Sequence, residues 1–542
     1  MRVAATVAIL VSIPGCVSTP PTAREGDAGA RDAAIAIDAG ATIDAAIAVD
    51  AGDDAGSVVL PCTDSEERHR RADEALSRFL VEFWRGDAQY LRAQVPGDTL
   101  SAYWVYAQAF DALLDGVERT DGRRYRGLVA SFALGQSRRG WSSDYYDDEN
   151  WMALALIRAF DLTGDRGYLD RAQQLFGDIE AAWDTTCCGA NPGGIWWDRA
   201  HTQKATASNG GPVITAVRLH ARTGDAQYLA FARMAYAYWR EHMVDPETGQ
   251  VWDHVAPDGA ITRWKFTYNE GVMIGAALAL LEATGETRYL DDARTFARFM
   301  REHETVTTDL GPVLSDGDDA SCRGDCQQFK GIGHRYLDAL QTVDPDDAIA
   351  ALLRASADSL WTRARDPETG HFGTDWTAAP SGDGASISQM SAAITALSLD
   401  ASRCGAWVDS IDAAQFEAED GAITDVGLEA SSAGFTGWAY LAGWSREGSG
   451  VAMRIEAASA GRHRIALRYA GDDGEAVRTV RLNGTVIAEA QRFPATGSWG
   501  TYATVELVAD LPAGPSALEL RVEGARGSRG FLNLDHARLT RE

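Results

Sequence analysis

The 542-residue sequence lacks the features of several common functional classes. It has 50 Lys and Arg against 78 Asp and Glu, and the net charge of −28 argues against nucleic acid or an anionic lipid surface as a partner. It has no glycine-rich phosphate loop, and its ten histidines are not spaced as zinc ligands. No apolar run reaches the roughly 18 residues of a membrane-spanning helix. Seven cysteines are too few for a disulfide-built scaffold.

The N-terminal segment predicts export. Residues 1–16 form a short apolar signal that ends in Ile13-Pro14-Gly15-Cys16. This end resembles a bacterial lipobox with Cys16 as the lipidated residue, although Pro14 is unusual there. We expect an exported cell-surface lipoprotein, at the outer membrane, that meets the membrane only through its N-terminal lipid. An ordinary secretory signal and a secreted protein are the alternative.

Residues 17–61 are rich in Ala and Asp and contain no aromatic residue. Such a segment cannot bury enough surface to offset the entropy of ordering, so we expect a disordered tether. Asp32, Asp38, Asp44 and Asp50 recur every six residues. A cation-binding repeat is the alternative interpretation.

Residues 62–405 show mostly helical apolar spacing and a recurrent turn motif. Thr-Gly-Asp or a close variant precedes Tyr125, Tyr168, Tyr228 and Tyr289, at intervals of 43, 60 and 61 residues. The glycine is expected to end one helix in a left-handed turn, and the acid to begin the next. The period predicts about six helical hairpins, which form either an open solenoid or a closed (α/α)6 barrel. The long aromatic loops between the short turns favour the barrel.

One of these loops contains paired acids among aromatics. Tyr145-Tyr146-Asp147-Asp148 stands just before a helix that we expect to begin near Trp151. Neighbouring residues in extended backbone can place their carboxyl groups about 5 Å apart, which is the geometry of a retaining glycosidase. The alternative is that these acids only cap the helix.

These loops resemble glycoside hydrolase family 76, the bacterial α-1,6-mannanases and their fungal cell-wall relatives. The matching stretches are Tyr145-Tyr146-Asp147-Asp148 with Trp151, Gly193-Gly194-Ile195-Trp196-Trp197, Lys204 with Asn209, Thr267-Tyr268-Asn269 with Gly271, and Phe329-Lys330-Gly331. The resemblance covers most of the helical region. It departs from the family at Met152, where a second Trp is frequent, and at Glu270, where Gln is usual.

The resemblance implies an (α/α)6 barrel and retaining, endo-acting cleavage of α-1,6-linked mannose without a catalytic cofactor. It makes Asp147 the nucleophile and Asp148 the general acid/base. The expected substrate contacts are Tyr146, Trp196, Trp197, Lys204, Asn209, Tyr268, Asn269, Phe329 and Lys330.

Residues 410–542 alternate polar and apolar residues in short runs, and Asn483-Gly484 is a hairpin turn signal. We expect a β-sandwich, and nothing in it suggests catalysis. It resembles carbohydrate-binding modules of families 6 and 35, through Phe416-Glu417-Ala418-Glu419, Gly437 with Tyr440, Thr496-Gly497-Ser498-Trp499 and Asn533-Leu534-Asp535. The resemblance implies a structural calcium ion at Glu417, Glu419 and Asp535, and sugar contacts at Tyr440, Trp499 and Asn533. The alternative is a spacer with Trp499 in its core.

Two cysteine pairs are candidates for disulfides. Cys62 and Cys404 delimit the helical region, and Cys322 and Cys326 flank a short loop, whereas Cys187 and Cys188 are left unassigned.

The expected partner is α-mannan or a related polysaccharide, bound by a monomer. Three alternatives to a mannanase remain: a catalytically silent surface glycan receptor, a transglycosylase, or another (α/α)6 enzyme such as a sugar epimerase. An epimerase would need a histidine in the cleft, and the sequence places none beside the loops.

Overall fold

The structure is a computed structural model that describes residues 62, 64–189, 192–316, 324–382, 384–407, 412–524 and 530–542. The predicted signal, Cys16 and the Ala/Asp-rich tether lie outside these residues. Among the described helices, none combines the length and the apolar character needed to cross a bilayer.

The helical domain is a closed ring of helical hairpins, as the turn motif predicts. Within the described residues its helices are α1 (Ser65–Phe83), α2 (Tyr103–Arg119), α3 (Arg126–Arg139), α4 (Tyr146–Thr163), α5 (Arg166–Ala181), α6 (Thr206–Thr223), α7 (Ala226–His242), α8 (Thr267–Thr284), α9 (Arg288–His303), α10 (Phe329–Val343), α11 (Asp347–Thr362) and α12 (Ile387–Ser402). The even-numbered helices contact one another in order, and α12 returns to α2. The odd-numbered helices form the outer layer, so the (α/α)6 barrel is confirmed.

The short turns between hairpins follow the predicted capping pattern at two of their four sites. Gly164, Gly224 and Gly285 each end an inner helix in the left-handed conformation. Asp165 and Asp225 then cap α5 and α7 through backbone N–H groups. The fourth turn differs, because α9 begins after Thr287 without a side-chain cap. The first turn differs too, because Tyr125 precedes α3 in a left-handed conformation.

The opposite rim carries the long loops and the N-termini of α4, α6, α8 and α10. Short strands lie in these loops and near the start of the domain: β1 (Trp84–Arg85), β2 (Tyr90–Leu91), β3 (Gln94–Val95), β4 (Lys204–Ala205), β5 (His254–Val255), β6 (Ile261–Thr262), β7 (Thr305–Thr308), β8 (Gly311–Leu314) and β9 (Ala385–Ser386). Strands β4, β5 and β6 form one antiparallel sheet. That sheet ties the loop before α6 to the loop before α8.

The C-terminal module is the predicted β-sandwich. Its strands are β10 (Gln415–Glu417), β11 (Ala422–Thr424), β12 (Gly427–Glu429), β13 (Tyr440–Ala442), β14 (Gly450–Ala457), β15 (Gly461–Ala470), β16 (Ala476–Leu482), β17 (Thr485–Phe493), β18 (Tyr502–Leu511), β19 (Gly514–Arg521) and β20 (Asn533–Arg541). One sheet has the order β12-β13-β20-β15-β18 with β10 on β20, and the other has the order β11-β14-β19-β16-β17. Asn483 and Gly484 both have positive φ and join β16 to β17, as their turn signal predicts.

A disulfide between Cys62 and Cys404 closes the helical domain, as expected. Cys187 and Cys188, which the sequence left unassigned, are bonded to each other. Cys326 is also disulfide-bonded, but Cys322, its predicted partner, lies outside the described residues.

Candidate active site

The paired acids lie in the first turn of α4 rather than in extended backbone. The helix begins at Tyr146, five residues before the predicted start at Trp151, and only Tyr145 before it is extended. The extended arrangement expected for Asp147 and Asp148 is therefore wrong. Successive side chains on a helix point about 100° apart, so the two carboxyl groups meet different neighbours. Both lie at the positive end of the helix dipole.

Asp147 is held by a tryptophan from another loop. Its Oδ2 accepts a hydrogen bond of 3.1 Å from the indole N–H of Trp197. Its Oδ1 is buried and has no hydrogen-bond partner among the described residues. Burial, and then the negative charge of Asp148, raise the pKa of Asp147. An indole N–H only donates, so it stabilises the ionised carboxylate and leaves the other oxygen available.

Asp148 lies in surroundings that favour its protonated form. Its Oδ2 accepts a hydrogen bond of 2.8 Å from the Ser143 hydroxyl. Burial raises the pKa of Asp148 to about 7; the Ser143 hydrogen bond opposes this rise, and the charges of Asp325 and Glu149 add to it. A carboxyl group with this pKa is still partly protonated at neutral pH and can donate its proton.

Glu149, the third acid of this turn, has a structural role. It is fully buried and accepts hydrogen bonds from the Ser143 N–H at 2.8 Å and from Arg199 at 2.7 Å. The Arg199 guanidinium also lies 4.8 Å from the ring of Tyr146, which is itself buried. Glu149 therefore fixes the loop that holds Asp148, a role that the sequence did not indicate.

The two tryptophans predicted to contact sugar have different environments. Trp197 is half-buried, and its ring lies 4.7 Å from the exposed ring of Tyr145. Trp196 is buried, and its ring stacks on His201 at 4.6 Å. Trp197 thus lies beside Asp147 and stays a candidate for substrate contact, whereas Trp196 is covered by protein groups.

Two polar residues predicted to contact substrate are used inside the protein instead. Lys204 is fully buried and donates to the carbonyl oxygens of Cys187 at 2.6 Å and Gly193 at 2.7 Å. Asn209 is buried, accepts from the N–H of Ile195 at 2.7 Å and donates back to its carbonyl oxygen at 3.0 Å. Both side chains hold the Gly-Gly-Ile-Trp-Trp loop in place, so the predicted direct contacts are corrected to supporting ones.

Lys330 also proves to be internal. It is almost fully buried, and its ammonium lies 3.0 Å from Asp316, which in turn accepts from the hydroxyl of Thr267. This ion pair joins the starts of α8 and α10. Phe329, the residue before it, is half-buried and contacts the Tyr268 ring at 4.4 Å. Phe329 stays a candidate for substrate contact, and Lys330 does not.

Asp253 and His254 are site residues that the sequence did not reveal. Asp253 is buried. It accepts a hydrogen bond of 2.8 Å from the Tyr268 hydroxyl and one of 2.6 Å from Nδ1 of His254. Asn269 donates to Asp253 at 3.4 Å, and its own Oδ1 is buried without a described partner. The expectation that no histidine lies beside these loops is therefore wrong. The two residues sit on β5 and the position before it, and only the sheet β4-β5-β6 brings them to α8.

Glu270, the departure from the family pattern, is not exposed to a ligand. It is fully buried, accepts a hydrogen bond of 2.8 Å from the Val251 N–H and lies against the carboxyl group of Glu304. Burial raises the pKa of Glu270 to about 8, and the Val251 N–H opposes that rise. This carboxyl group contacts protein groups rather than a sugar subsite, so its role is structural.

In the module, one of the three predicted sugar contacts is wrong. Tyr440 is fully buried, and its hydroxyl lies 3.0 Å from that of Ser431. Trp499 is half-buried in the loop before β18, and Asn533 is buried at the start of β20. Both residues stay predicted sugar contacts.

The predicted calcium ligands lie together, with different partners. Glu419 is fully buried, accepts from the Trp438 N–H at 2.8 Å and keeps Oε2 without a described partner. Burial raises the pKa of both Glu417 and Glu419. Asp535 is paired with Arg468. Glu417 and Glu419 therefore fit a hard cation, whereas Asp535 already has a positive partner.

A second possible ligand set overlaps this one. Atoms of Glu417, Asp535 and His536 lie within 4.8 Å of one another. The histidine Nδ1 is 2.8 Å from the Thr436 hydroxyl, so it has a protein partner already.

Comparisons with known proteins agree with this division. A family model described as glycosyl hydrolase family 76 matches residues 68–410. A model described as carbohydrate binding module (family 35) matches residues 414–541.

Solved structures and curated relatives point the same way. The GH76A alpha-1,6-mannanase from Salegentibacter sp. HEL1_6 is 29% identical with a TM-score of 0.56, covering 62% of this chain and 99% of that chain. An inactive variant of it, with two aspartates replaced, is in complex with alpha-1,6-mannotetrose; it is 29% identical with a TM-score of 0.57 and the same coverage. Mannan endo-1,6-alpha-mannosidase DFG5 of Saccharomyces cerevisiae is 26% identical over 315 residues, 51% of this chain and 65% of that relative. This chain thus spans a little under two thirds of that relative's length.

The family 76 model covers more than half of the sequence, and the fold, the acid pair and the surrounding aromatic loops agree with it. The chain therefore belongs to glycosyl hydrolase family 76.

Proposed function

We propose that this chain is a retaining glycoside hydrolase that cleaves α-1,6-mannosidic linkages within mannan backbones. The observation that carries the proposal is the pair Asp147 and Asp148, which differ in their hydrogen-bond partners at the start of one helix. The names of two similar proteins, the alpha-1,6-mannanase from Salegentibacter and the endo-1,6-alpha-mannosidase DFG5, support α-1,6-linked mannan as the substrate.

In the first step Asp147 is the nucleophile. Its carboxylate forms a bond to the anomeric carbon while the bond from that carbon to the leaving oxygen breaks. Asp148 gives its proton to that oxygen, so the shortened chain leaves as a neutral alcohol. The hydrogen bond from Trp197 keeps the Asp147 carboxylate in position.

In the second step Asp148, now ionised, takes a proton from a water molecule. The resulting hydroxide attacks the anomeric carbon and the bond to Asp147 breaks, which restores both carboxyl groups. A sugar hydroxyl in place of water would give a transglycosylase. A silent glycan receptor is the other alternative, but a receptor has no need for the acid pair.

The substrate would lie against the aromatic residues beside this pair. Trp197 comes from the loop before α6, Tyr268 from the first turn of α8 and Phe329 from the start of α10. Asn269 offers the carbonyl oxygen that has no described partner to a sugar hydroxyl. Asp253 orients the Tyr268 hydroxyl. No cofactor has a role in this scheme.

The C-terminal module is proposed to bind polysaccharide, with Trp499 as its aromatic contact and Asn533 beside it. A calcium ion at Glu417 and Glu419 would neutralise two buried carboxyl groups and so stabilise the module; Asp535 would join only if Arg468 released it. The ion has no part in the cleavage steps.

The location follows the N-terminal prediction. We propose an exported lipoprotein held at the cell surface by lipid on Cys16 through the Ala/Asp-rich segment 17–61, acting as a monomer, with secretion as the alternative. Radiolabelled lipid incorporation into wild type but not Cys16→Ser would support the anchor.

Incubation with linear α-1,6-mannan tests the function. The wild type should release mannooligosaccharides of several lengths, and Asp147→Asn should release none. Retained binding to the polysaccharide with no cleavage by the wild type would favour the receptor instead.

A further inference from the structure

The outer helix α3 is covered by the C-terminal module rather than by solvent. Residues 420–425 of the module, here called the docking segment, run along the helix. Asp420 accepts the Tyr125 N–H at 2.9 Å at one end, and Asp425 pairs with Arg138 at 2.6 Å at the other. The part of the helix between these two contacts is about 20 Å long, and strand β11 lies between them in the docking segment. The segment therefore follows the full length of α3.

The two backbones touch at a glycine of α3. A Cβ atom built on Gly127 would lie 2.2 Å from the carbonyl carbon of Gly421. Nearby, the N–H of Ile423 donates to the Ser131 hydroxyl at 2.8 Å, and both groups are buried. An interface in which buried backbone groups pair across two domains is specific in register, because each unpaired group would cost free energy.

Asp420 also completes the N-terminus of α3. Tyr125, the capping residue, has a φ of 64° and offers no side-chain cap. The Asp420 carboxylate supplies the missing acceptor and its charge favours the positive helix end. The indole N–H of Trp438 donates to the same carboxylate at 3.0 Å. Trp438 thus contributes to this interface, where its ring also lies 5.4 Å from that of Tyr125.

Hydrogen bonds lead from the docking segment to the loop before the catalytic helix. The Gln89 side chain accepts from the N–H of Asp425 at 2.7 Å. Its neighbour Tyr90 donates to Gln136 at 2.9 Å, and Gln136 donates to the carbonyl oxygen of Gly140 at 2.6 Å. Residues 140–145 follow, and this loop carries the Ser143 hydroxyl that binds Asp148. The path is contiguous from the module to the acid.

We propose that the C-terminal module is a fixed positioning element of the catalytic domain, which holds residues 140–145, and through them Asp148, by docking along α3. This inference rests on the proposed function, because it concerns the acid in that reaction. It predicts that loss of docking lowers turnover of a substrate too short to need the module for binding.

The test compares two helical glycines in the full chain. Gly127→Ala introduces a methyl group against the module backbone, whereas Gly177→Ala does so on α5, where no atom lies within 4 Å. Both replacements favour the helix itself, so they differ in the contact with the module. Turnover of a soluble α-1,6-mannotetraose is measured together with calorimetric unfolding.

Gly127→Ala should lower kcat about tenfold, with a smaller change in KM, because small misplacements of a catalytic group are costly. It should also separate the unfolding of the two domains, while Gly177→Ala behaves as the wild type. If Gly127→Ala separates the domains but retains the wild-type kcat, the positioning role is overturned. If neither property changes, the docking itself is overturned.

A second pair of variants, with smaller changes, provides the test if Gly127→Ala does not fold. Ser131→Ala removes the acceptor for Ile423 together with a 3.4 Å bond to the Gly127 carbonyl oxygen of its own helix, and Ser137→Ala removes a hydroxyl on the same helix that makes only a bond to its own backbone among the described contacts. The first should lower kcat and the second should not; equal values would overturn the proposal. An inactive wild type would overturn the proposed function, and calorimetry would still decide whether the module docks.

Discussion

Trp197 donates its indole N–H to Asp147 across 3.1 Å, from a loop that lies 50 residues further along the chain. The bond joins the two stretches that are most specific in the sequence, the acid pair and the Gly-Gly-Ile-Trp-Trp run. It gives Asp147 a donor that favours its charged form, whereas Asp148 has a rotatable hydroxyl as its partner. Two neighbouring acids therefore have different environments, as acid/base chemistry requires.

Replacing either acid should separate the two roles. Asp147→Asn should abolish cleavage of every mannoside, since no bond to the enzyme can form. Asp148→Asn should lower cleavage of mannan about 10²–10⁴-fold. It should lower kcat/KM for an aryl mannoside much less, because kcat/KM covers only the steps up to departure of the leaving group, and that leaving group needs no proton. Measurements of kcat/KM on both substrates check this, with Asp170→Asn on the outer helix α5 as the control. Equal losses of kcat/KM on both substrates for Asp148→Asn would contradict its role as the acid.

The basic limb of the pH profile should report Asp148. The pKa of this acid is about 7 and Ser143 lowers it, so activity should fall as the pH rises through about 7. Ser143→Ala removes a hydrogen bond that favours the charged form, and the limb should move to higher pH by about one unit. Ser142→Ala, whose hydroxyl bonds Glu149 instead, should leave the limb in place. A limb that stays fixed in Ser143→Ala would contradict the assignment.

Glu270 should make stability depend on pH. Burial raises the pKa of this group from an ordinary value of 4.5 to about 8. Between those values the folded state holds a proton that the unfolded state lacks, so stability falls as the pH rises through this window. Glu270→Gln removes the titrating group, and its Tm advantage over the wild type should be greater at pH 8 than at pH 5 by about 3 °C.

The control for that experiment is Glu282→Gln, which changes an exposed glutamate of the same helix. It should show the same Tm difference from the wild type at both pH values. A Tm advantage of Glu270→Gln that is equal at pH 5 and pH 8 would show that its proton is not retained.

Calcium should stabilise the module. A ligand at a hundredfold excess over its Kd adds about 2.7 kcal/mol to the free energy of unfolding. The Tm of the wild type should therefore rise in CaCl2 and fall in EDTA. Glu419→Gln should lose most of this response, and Asp473→Asn, on an exposed loop, should keep it. No response in the wild type would contradict a cation at Glu417 and Glu419.

The sequence predicted the parts of the protein that repeat or alternate. Thr-Gly-Asp turns such as that before Tyr168 indicated helical hairpins, because the glycine and the acid have defined places at helix ends. The sequence also located Asp147 and Asp148, since adjacent acidic residues among aromatic residues are unusual. The helix start was misplaced by five residues, as acids of the first turn look like those of a loop.

The sequence could not show which way each side chain points. Lys204, Lys330 and Tyr440 stand in the stretches that indicated a binding site, yet each is buried with protein partners. Lys204 contacts backbone carbonyl groups, Lys330 a carboxylate 14 residues away and Tyr440 a hydroxyl nine residues away, and such contacts leave no pattern in the sequence. Asp253 was missed for the complementary reason, because only a short sheet brings it to Tyr268.

The most direct test of the central claim is the anomeric configuration of the first product, followed by proton NMR while linear α-1,6-mannan is cleaved. A retaining reaction through Asp147 gives new reducing ends that are α at early times and only later equilibrate with β. Early β-ends would contradict the covalent mechanism, and the absence of any new reducing end would contradict the proposed activity.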